Sequence, residues 1–247
     1  MSYDDQTIRS RSSLKRWSHA TRFQLACRLL APCDGERILD YGTGDATLLR
    51  ALHAAAPRAS LVGFEPFMME EAAANAPPGA KIVDSAAGLS GFDKVACLEV
   101  LEHLEASKLN TAVDNIVAAV RPGGLILISV PIEIGPSVVL KTVVRAAVHA
   151  PHANTTLANT ISSAFGRTGQ IVRRAEDGFI ASHMGFDWRA LRERLRRRGL
   201  HEIRLIFSPF GPLGPLLNSQ VMLLLRPQAA GSAPRSVAGE LLEERLA

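Results

Sequence analysis

Aromatic residues are scarce, at 5% of a 247-residue chain. That leaves little material for the stacked platforms on which single-stranded nucleic acids lie. Cysteine is scarcer still: Cys27, Cys33 and Cys97 are odd in number and never in a C-x-x-C spacing. A zinc ribbon or a disulfide framework is therefore excluded as the source of stability, and a reducing, cytoplasmic compartment is expected. No apolar run reaches the ~18 residues of a membrane-spanning helix, and the opening MSYDDQTIRSRSSLKRW has no apolar signal core. Charge of one sign is not in large excess either, the formal net charge being +4. What is present is ordinary globular material, 47% hydrophobic and 21% charged, enough for one large domain with a sizeable core.

The chain divides by pattern. Residues 1–34 form a polar, basic arm followed by a helix with Phe23, Cys27, Leu29 and Leu30 at helical spacing. Over 35–131, short apolar runs (Arg37–Tyr41, Leu61–Glu65, Lys81–Asp84, Asp93–Glu99, Leu125–Val130) alternate with helix-like segments at 46–56, 68–76 and 106–120. Continuously apolar strands separated by helices predict a parallel sheet covered on both faces. Residues 132–182 read as an insertion or lid. Its apolar stretch 136–150 carries Lys141, Arg145 and His149, and reads as a lid helix or a membrane-surface helix. Residues 183–226 return to the pattern, with a helix over 187–198 and two strands, 201–208 and 219–226, joined without a helix between them. That places an antiparallel region at one sheet edge and makes seven strands. Residues 227–247 read as a loose tail.

Two features mark a ligand site. The first strand ends in Asp40-Tyr41-Gly42-Thr43-Gly44-Asp45, a glycine turn opening a helix at the carboxyl end of parallel strands, where such sheets bind ligands. The second strand ends in Glu65, a carboxylate placed to bond ribose hydroxyls, and the third in Asp84, placed to bond a base edge. A dinucleotide fingerprint is broken by Thr47 at the third glycine position, and Asp45 would oppose a pyrophosphate. A cationic cofactor without phosphate tolerates these acids.

Together LDYGTG, VGFEP, Asp84, FDKVACLEVLEHL and VRPGGLILISVP resemble class I S-adenosylmethionine-dependent methyltransferases. The resemblance covers residues 35–131, and the ending at 187–226 is consistent with it. It implies a doubly wound, mostly parallel, seven-stranded α/β sheet and S-adenosyl-L-methionine as cofactor. Asp40, Tyr41, Gly42 and Gly44 would line the methionine moiety, Glu65 the ribose and Asp84 the adenine, with Leu98 and Glu99 beside them.

The segment Glu99-Val-Leu-Glu102-His103-Leu follows the fourth strand directly. If it opens a helix, positions 99, 102 and 103 share a face. Three readings stay open: His103 as general base beside Glu99, a divalent cation site, or helix-start groups with a structural job. EVLEHL is similar to motifs of ubiquinone-pathway O-methyltransferases and small-RNA 2′-O-methyltransferases. The latter resemblance, extended to HMGFDW at 183–188, implies Glu99, Glu102, His103 and His183 as ligands of a cation such as Mg²⁺ or Mn²⁺. Trp188 is expected in the core. The basic run RALRERLRRR reads as the solvated face of an amphipathic helix, with nucleic-acid binding as the sharper alternative. The expected activity is O-methylation of a small-molecule, glycan or lipid-like acceptor. An RNA 2′-O-methyltransferase and a non-catalytic S-adenosylmethionine-binding regulator are the alternatives.

Overall fold

The computed structural model describes residues 13–135, 137–139, 142, 156–171, 173 and 179–228, with backbone alone for 13–20 and 170. Most of the apolar stretch 136–150, the first part of the arm and the tail beyond Gln228 lie outside these residues. In chain order the elements are α1 (Ser13–Leu30), β1 (Arg37–Tyr41), α2 (Thr47–Ala55), β2 (Ser60–Phe64), α3 (Met69–Asn75), β3 (Lys81–Val83) and β4 (Phe92–Leu98). Then come α4 (Ala106–Ala119), β5 (Val120–Pro131), α5 (Leu157–Ala164), α6 (Trp188–Arg197), β6 (Leu200–Ser208), α7 (Gly214–Leu217) and β7 (Gln220–Pro227).

The strands form one sheet in the order β3-β2-β1-β4-β5-β7-β6. Pairs from β3 to β5 are parallel, and β7 runs antiparallel to both β5 and β6. The sheet and its antiparallel edge region are those expected from the sequence, with the reversed strand lying one position in from the edge. The order reverses beside β1, so the crevice above β1 and β4 is the topological switch point where such sheets hold ligands.

Alternation along the strands sorts their side chains to two faces. Ile126 and Ile128 join Leu109, Val113 and Ile116 of α4 and Leu191 and Leu195 of α6 on one side. Leu127 and Ile38 meet Leu48, Leu49 and Leu52 of α2 and Ala26 and Leu30 of α1 on the other. With both faces covered, nearly every residue of the central strands is apolar. Trp188 is buried in the first layer, as expected, with its ring edge-on to Phe207. Asp187 caps α6 by accepting from Arg189 N at 2.8 Å and Ala190 N at 3.4 Å, a cap contributing about 1 kcal/mol.

Candidate functional site

The glycine turn sits at the switch point. Gly42, Gly44 and Ala46 all have positive φ, +81°, +54° and +62°. This run turns the chain over the end of β2, where Gly42 N and Thr43 N donate to Phe64 O at 2.8 and 3.0 Å. A Cβ on Gly42 would collide with Val100 Cγ2, whereas one on Gly44 would meet open space. Gly63 is a packing glycine: its Cβ would lie 2.8 Å from Thr43 and 2.9 Å from Leu49, so its absence lets the turn and α2 close on β2. Asp45 is buried and consumed locally, accepting from Thr47 N at 3.1 Å and Thr47 Oγ1 at 2.8 Å. Asp45 thus answers the first N–H of α2.

Asp40 is buried beneath this turn and accepts from Thr43 Oγ1 at 2.7 Å. Burial, despite the Thr43 bond, and the nearby Glu65 and Asp45 push its carboxyl up to about 7. Tyr41 packs its ring on Phe64 and receives Asn115 Nδ2 at its hydroxyl, 3.3 Å away. Glu65 is buried and accepts three backbone bonds: Gly44 N at 2.8 Å to one oxygen, Phe67 N at 3.0 Å and Met68 N at 3.2 Å to the other. It ties the glycine turn to the start of the α3 region. Asp84 stands exposed beyond β3 and does not line the cavity described below. Phe67, one of the cavity's lining residues, is the large ring next to Glu65.

The end of β4 differs from the helix opening expected there. Glu99 takes φ +56°, unusual for a residue with a side chain, and its N–H donates to Ser129 O at 3.0 Å. Residues Leu101–His103 then form a single 3₁₀ turn. Glu99 lies outside this turn, and the chain is extended again at Leu104, so the i, i+3, i+4 geometry of an α-helix is not realised. Glu99 instead accepts from Ser129 Oγ at 2.9 Å and pairs with Arg22 of α1 at 3.7 Å. Arg22 is itself buried, and with the Gln220 amide oxygen turned to it, its Nε donates at 2.6 Å.

Glu102 is fully buried, and among the described residues no other residue gives its carboxylate oxygens a hydrogen bond. Burial first, and then Glu99, raise its pKa well above the ordinary carboxylate range, while its own backbone N–H, Arg22 and Arg173 pull it partly back. Arg173 donates to the Glu102 carbonyl and lies over the Phe186 ring. His103 stacks on Phe179 with ring centroids 4.4 Å apart. Its Nδ1 faces Ile180 O at 2.8 Å, so the proton belongs on Nδ1 and the lone pair on Nε2. That Nε2 lies 3.3 Å from His183 Nε2 and 3.9 Å from Glu102 Oε1. Burial lowers the His103 pKa, with the Ile180 bond opposing it.

Glu102, His103 and His183 therefore converge, their ligand atoms lying within 4.8 Å of one another. Glu99, the fourth expected member, is outside the group and bound to Ser129 and Arg22.

A cavity of about 790 Å³ joins these parts. Asp40, the glycine turn, Glu65 and Phe67 line it on one side, Leu98, Glu99 and His103 on the other. The volume lies inside the ~300–1,000 Å³ range of small-molecule sites. Sequence reasoning missed Arg22, Phe23, Lys108 and Phe179, all of which line it. Their elements, α1, α4 and the segment before α6, come from distant stretches, and no local spacing announces them. The basic face of α6 is ion-paired: Arg192 with Glu202, Arg196 and Arg197 with Glu193, Arg198 with Asp114. This is the solvated-face reading of that run.

Among known proteins, a family model described as "Methyltransferase domain" matches residues 15–201. No curated protein matches. Among solved structures, the chain is similar to the N-methyltransferase NodS from Bradyrhizobium japonicum WM9, solved with S-adenosylhomocysteine. The two are 14% identical over 89% of this chain and 90% of that one, with a TM-score of 0.53. It is also similar to the magnesium protoporphyrin IX methyltransferase ChlM from Synechocystis PCC 6803, likewise with S-adenosylhomocysteine. Identity is 16%, coverage 88% of each chain and TM-score 0.53. The [4+2]-cyclase SpnF is similar at 15% identity, covering 89% of this chain and 84% of that one, with a TM-score of 0.55. Identities this low speak for the fold, and the presence of a cyclase among them separates the fold from any one reaction. The family match, spanning most of the chain from α1 to the start of β6, goes further: the chain belongs to the methyltransferase-domain family and is an S-adenosylmethionine-dependent methyltransferase.

Proposed function

We propose that the protein methylates an oxygen nucleophile on a small-molecule, glycan or lipid-like acceptor that enters the cavity beside His103. We further propose that Glu102, His103 and His183 hold a divalent cation at its wall. The observation that carries this reading is Glu102: a fully buried carboxylate with no hydrogen bond from any other described residue, facing two imidazoles. An ionised carboxylate is costly to bury without a partner, and a cation supplies one. His103 Nε2 and His183 Nε2 lie 3.3 Å apart, so both imidazoles would offer a nitrogen to a cation held there beside Glu102. The Ile180 carbonyl on His103 Nδ1 is the outer contact that aims a ligating imidazole. A cation there supplies Lewis acidity, lowering the pKa of a hydroxyl brought to it.

Bound S-adenosylmethionine supplies a methyl group on a sulfonium, already activated for transfer. The chain's own residues then have two tasks. The first is to hold the cofactor. The open space beside Gly44 gives close backbone approach, Asp40 offers a carboxylate that a cationic ligand favours in its ionised form, and Glu65 offers acceptors for ribose hydroxyls. The second is to place the acceptor, which falls to Glu99, fixed between Ser129 and Arg22, and to the Phe179–His103 stack. The ion pairs of α6 weigh against RNA as the acceptor, since Glu202 and Glu193 occupy the guanidinium groups of Arg192, Arg196 and Arg197.

The test is metal binding itself. Chelator-treated protein is titrated with Co²⁺, Mn²⁺ and Mg²⁺, followed by calorimetry and by the visible absorption of Co²⁺. A Co²⁺ spectrum that His183→Ala abolishes while the protein keeps its fold supports the site. Without any binding, the two imidazoles share a proton instead, and methyl transfer falls to acid–base chemistry at His103. Assays of hydroxyl- and amine-bearing acceptors then decide the acceptor atom.

A further inference from the structure

Large apolar side chains left in solvent are not spread evenly over this molecule. Among the described residues, all except Ile203 belong to segments that leave or join the carboxyl end of the parallel strands, where the cavity opens. Phe67 follows β2, Phe210 and its neighbours lie in the turn between β6 and β7, and the rest lie in the 132–182 segment. Single exposed apolar residues are normal on a protein surface, but their collection at one end is not.

Helix α5 concentrates the effect. Leu157, Ile161 and Phe165 recur every four residues at the helix and its C-cap, and are 78%, 50% and 76% exposed. The opposite face buries Thr160 and Ser163. Ser163 Oγ donates to Met184 Sδ at 3.3 Å, and Ser163 O accepts from Gly135 N at 2.9 Å, so the polar side is anchored against the body of the protein. This is the reverse of an ordinary soluble helix, whose apolar stripe faces the core. The anchoring also puts α5 one residue from His183.

Charge identifies what covers the stripe. From Glu133 to Glu176 the sequence has no acid between, yet it holds Lys141, Arg145 and Arg174, which lie outside the described residues, and Arg167, besides Arg173, which turns inward to Glu102. Arg167, two residues past Phe165, is exposed. An apolar stripe set in a segment of purely positive charge matches an interfacial helix on anionic lipid.

We propose that this end of the molecule docks on an anionic lipid bilayer, with Leu157, Ile161 and Phe165 seated at the boundary between headgroups and acyl chains. Phe179, from the same 132–182 segment, lines the cavity, so docking brings the cavity mouth to the membrane surface. The inference is independent of the cation site and of the acceptor atom.

The test is sedimentation of full-length protein with vesicles of phosphatidylcholine alone and of phosphatidylcholine with phosphatidylglycerol. Wild type is expected to partition onto the anionic vesicles and far less onto the neutral ones, with binding weakened by salt. The triple variant Leu157→Ser, Ile161→Ser, Phe165→Ser should lose at least about tenfold in partitioning. It should keep its melting temperature and S-adenosylhomocysteine affinity, and Phe165→Ser alone should show a smaller loss in the same direction. Wild type that ignores anionic vesicles would overturn the proposal, as would a triple variant that binds them equally well. Equally fatal would be a wild type that self-associates or binds RNA through this stripe while leaving vesicles alone.

Discussion

Glu65→Gln isolates one carboxylate that serves two purposes. Its oxygens divide three backbone N–H groups, one from Gly44 and two from Phe67 and Met68. Glutamine keeps one acceptor oxygen and replaces the other with a donor, so one side of the bridge must place N–H against N–H. A hydrogen bond to a charged group contributes about 1.5–3 kcal/mol, and a stranded buried donor costs a similar amount. Losing the Gly44 bond while keeping the other two should therefore destabilise the cofactor-free protein by roughly 2–4 kcal/mol. For a chain of this size that is a fall in melting temperature of roughly 4–16 °C. Differential scanning calorimetry without cofactor reads this term, and calorimetric titration of S-adenosylhomocysteine reads the second. If Glu65 also holds the ribose, affinity falls at least tenfold, about 1.4 kcal/mol. A melting temperature within ~2 °C of wild type would refute the three-bond bridge. A large fall with unchanged affinity would refute the ribose role and leave Glu65 as an organiser of the loop.

Gly42→Ala and Gly44→Ala should differ, although both glycines have positive φ. Gly44→Ala adds a Cβ into open space and costs about 1–2 kcal/mol for the left-handed backbone, whereas Gly42→Ala drives its Cβ into Val100 and costs about 1–3 kcal/mol more. Urea denaturation of the two variants checks this, and equal stabilities would contradict the close Val100 packing. Asp40 predicts a pH dependence. Its folded-state value of about 7 lies above the ordinary 3.8. The folded protein therefore holds this proton more tightly than the unfolded chain does. The stabilisation is complete below 3.8 and is lost as the pH rises through about 7. From about pH 5 to pH 8 wild type should lose roughly 2–3 kcal/mol relative to Asp40→Asn, and parallel stability profiles of the two would exclude the shift.

Much of the sheet was legible because its signals are local. A strand buried on both faces is apolar at most of its positions, and the glycine turn announces a chain reversal in a few residues, so β1 falls where the pattern put it. The end of β4 was not legible in the same way. Glu99, Glu102 and His103 have helical spacing, yet Ser129 on β5 captures both the Glu99 amide and its carboxylate and holds the backbone left-handed. That constraint comes from a strand thirty positions away and has no trace in the local pattern. The same holds for Arg22, which nothing in the sequence singles out until α1 lays it, buried, against Glu99. His183 could be singled out by resemblance alone, since its place beside His103 depends on how the 132–182 segment returns to the sheet.

The charge of the cavity explains why the acids that argue against a dinucleotide persist together. Asp40, Asp45, Glu65 and Glu99 all line it, against Arg22 and Lys108. Arg22 is paired with Glu99, and Asp45 is committed to the start of α2. The remaining imbalance is carried by Asp40 and Glu65, flanking a turn whose amides in a dinucleotide site would face phosphate. In this chain the amides of Gly42, Thr43 and Gly44 already bond Phe64 O and Glu65. A pyrophosphate would meet two carboxylates and find the donors spent. A sulfonium cofactor carrying an ammonium meets the same carboxylates as counter-charges, and its approach should draw the Asp40 pKa down and release a proton near neutral pH. The acidity that weakens the apo protein at Asp40 is then the source of selectivity for a cationic ligand. Calorimetry of S-adenosylmethionine binding in buffers of differing ionisation enthalpy would detect that proton, and its absence would detach Asp40 from the ligand.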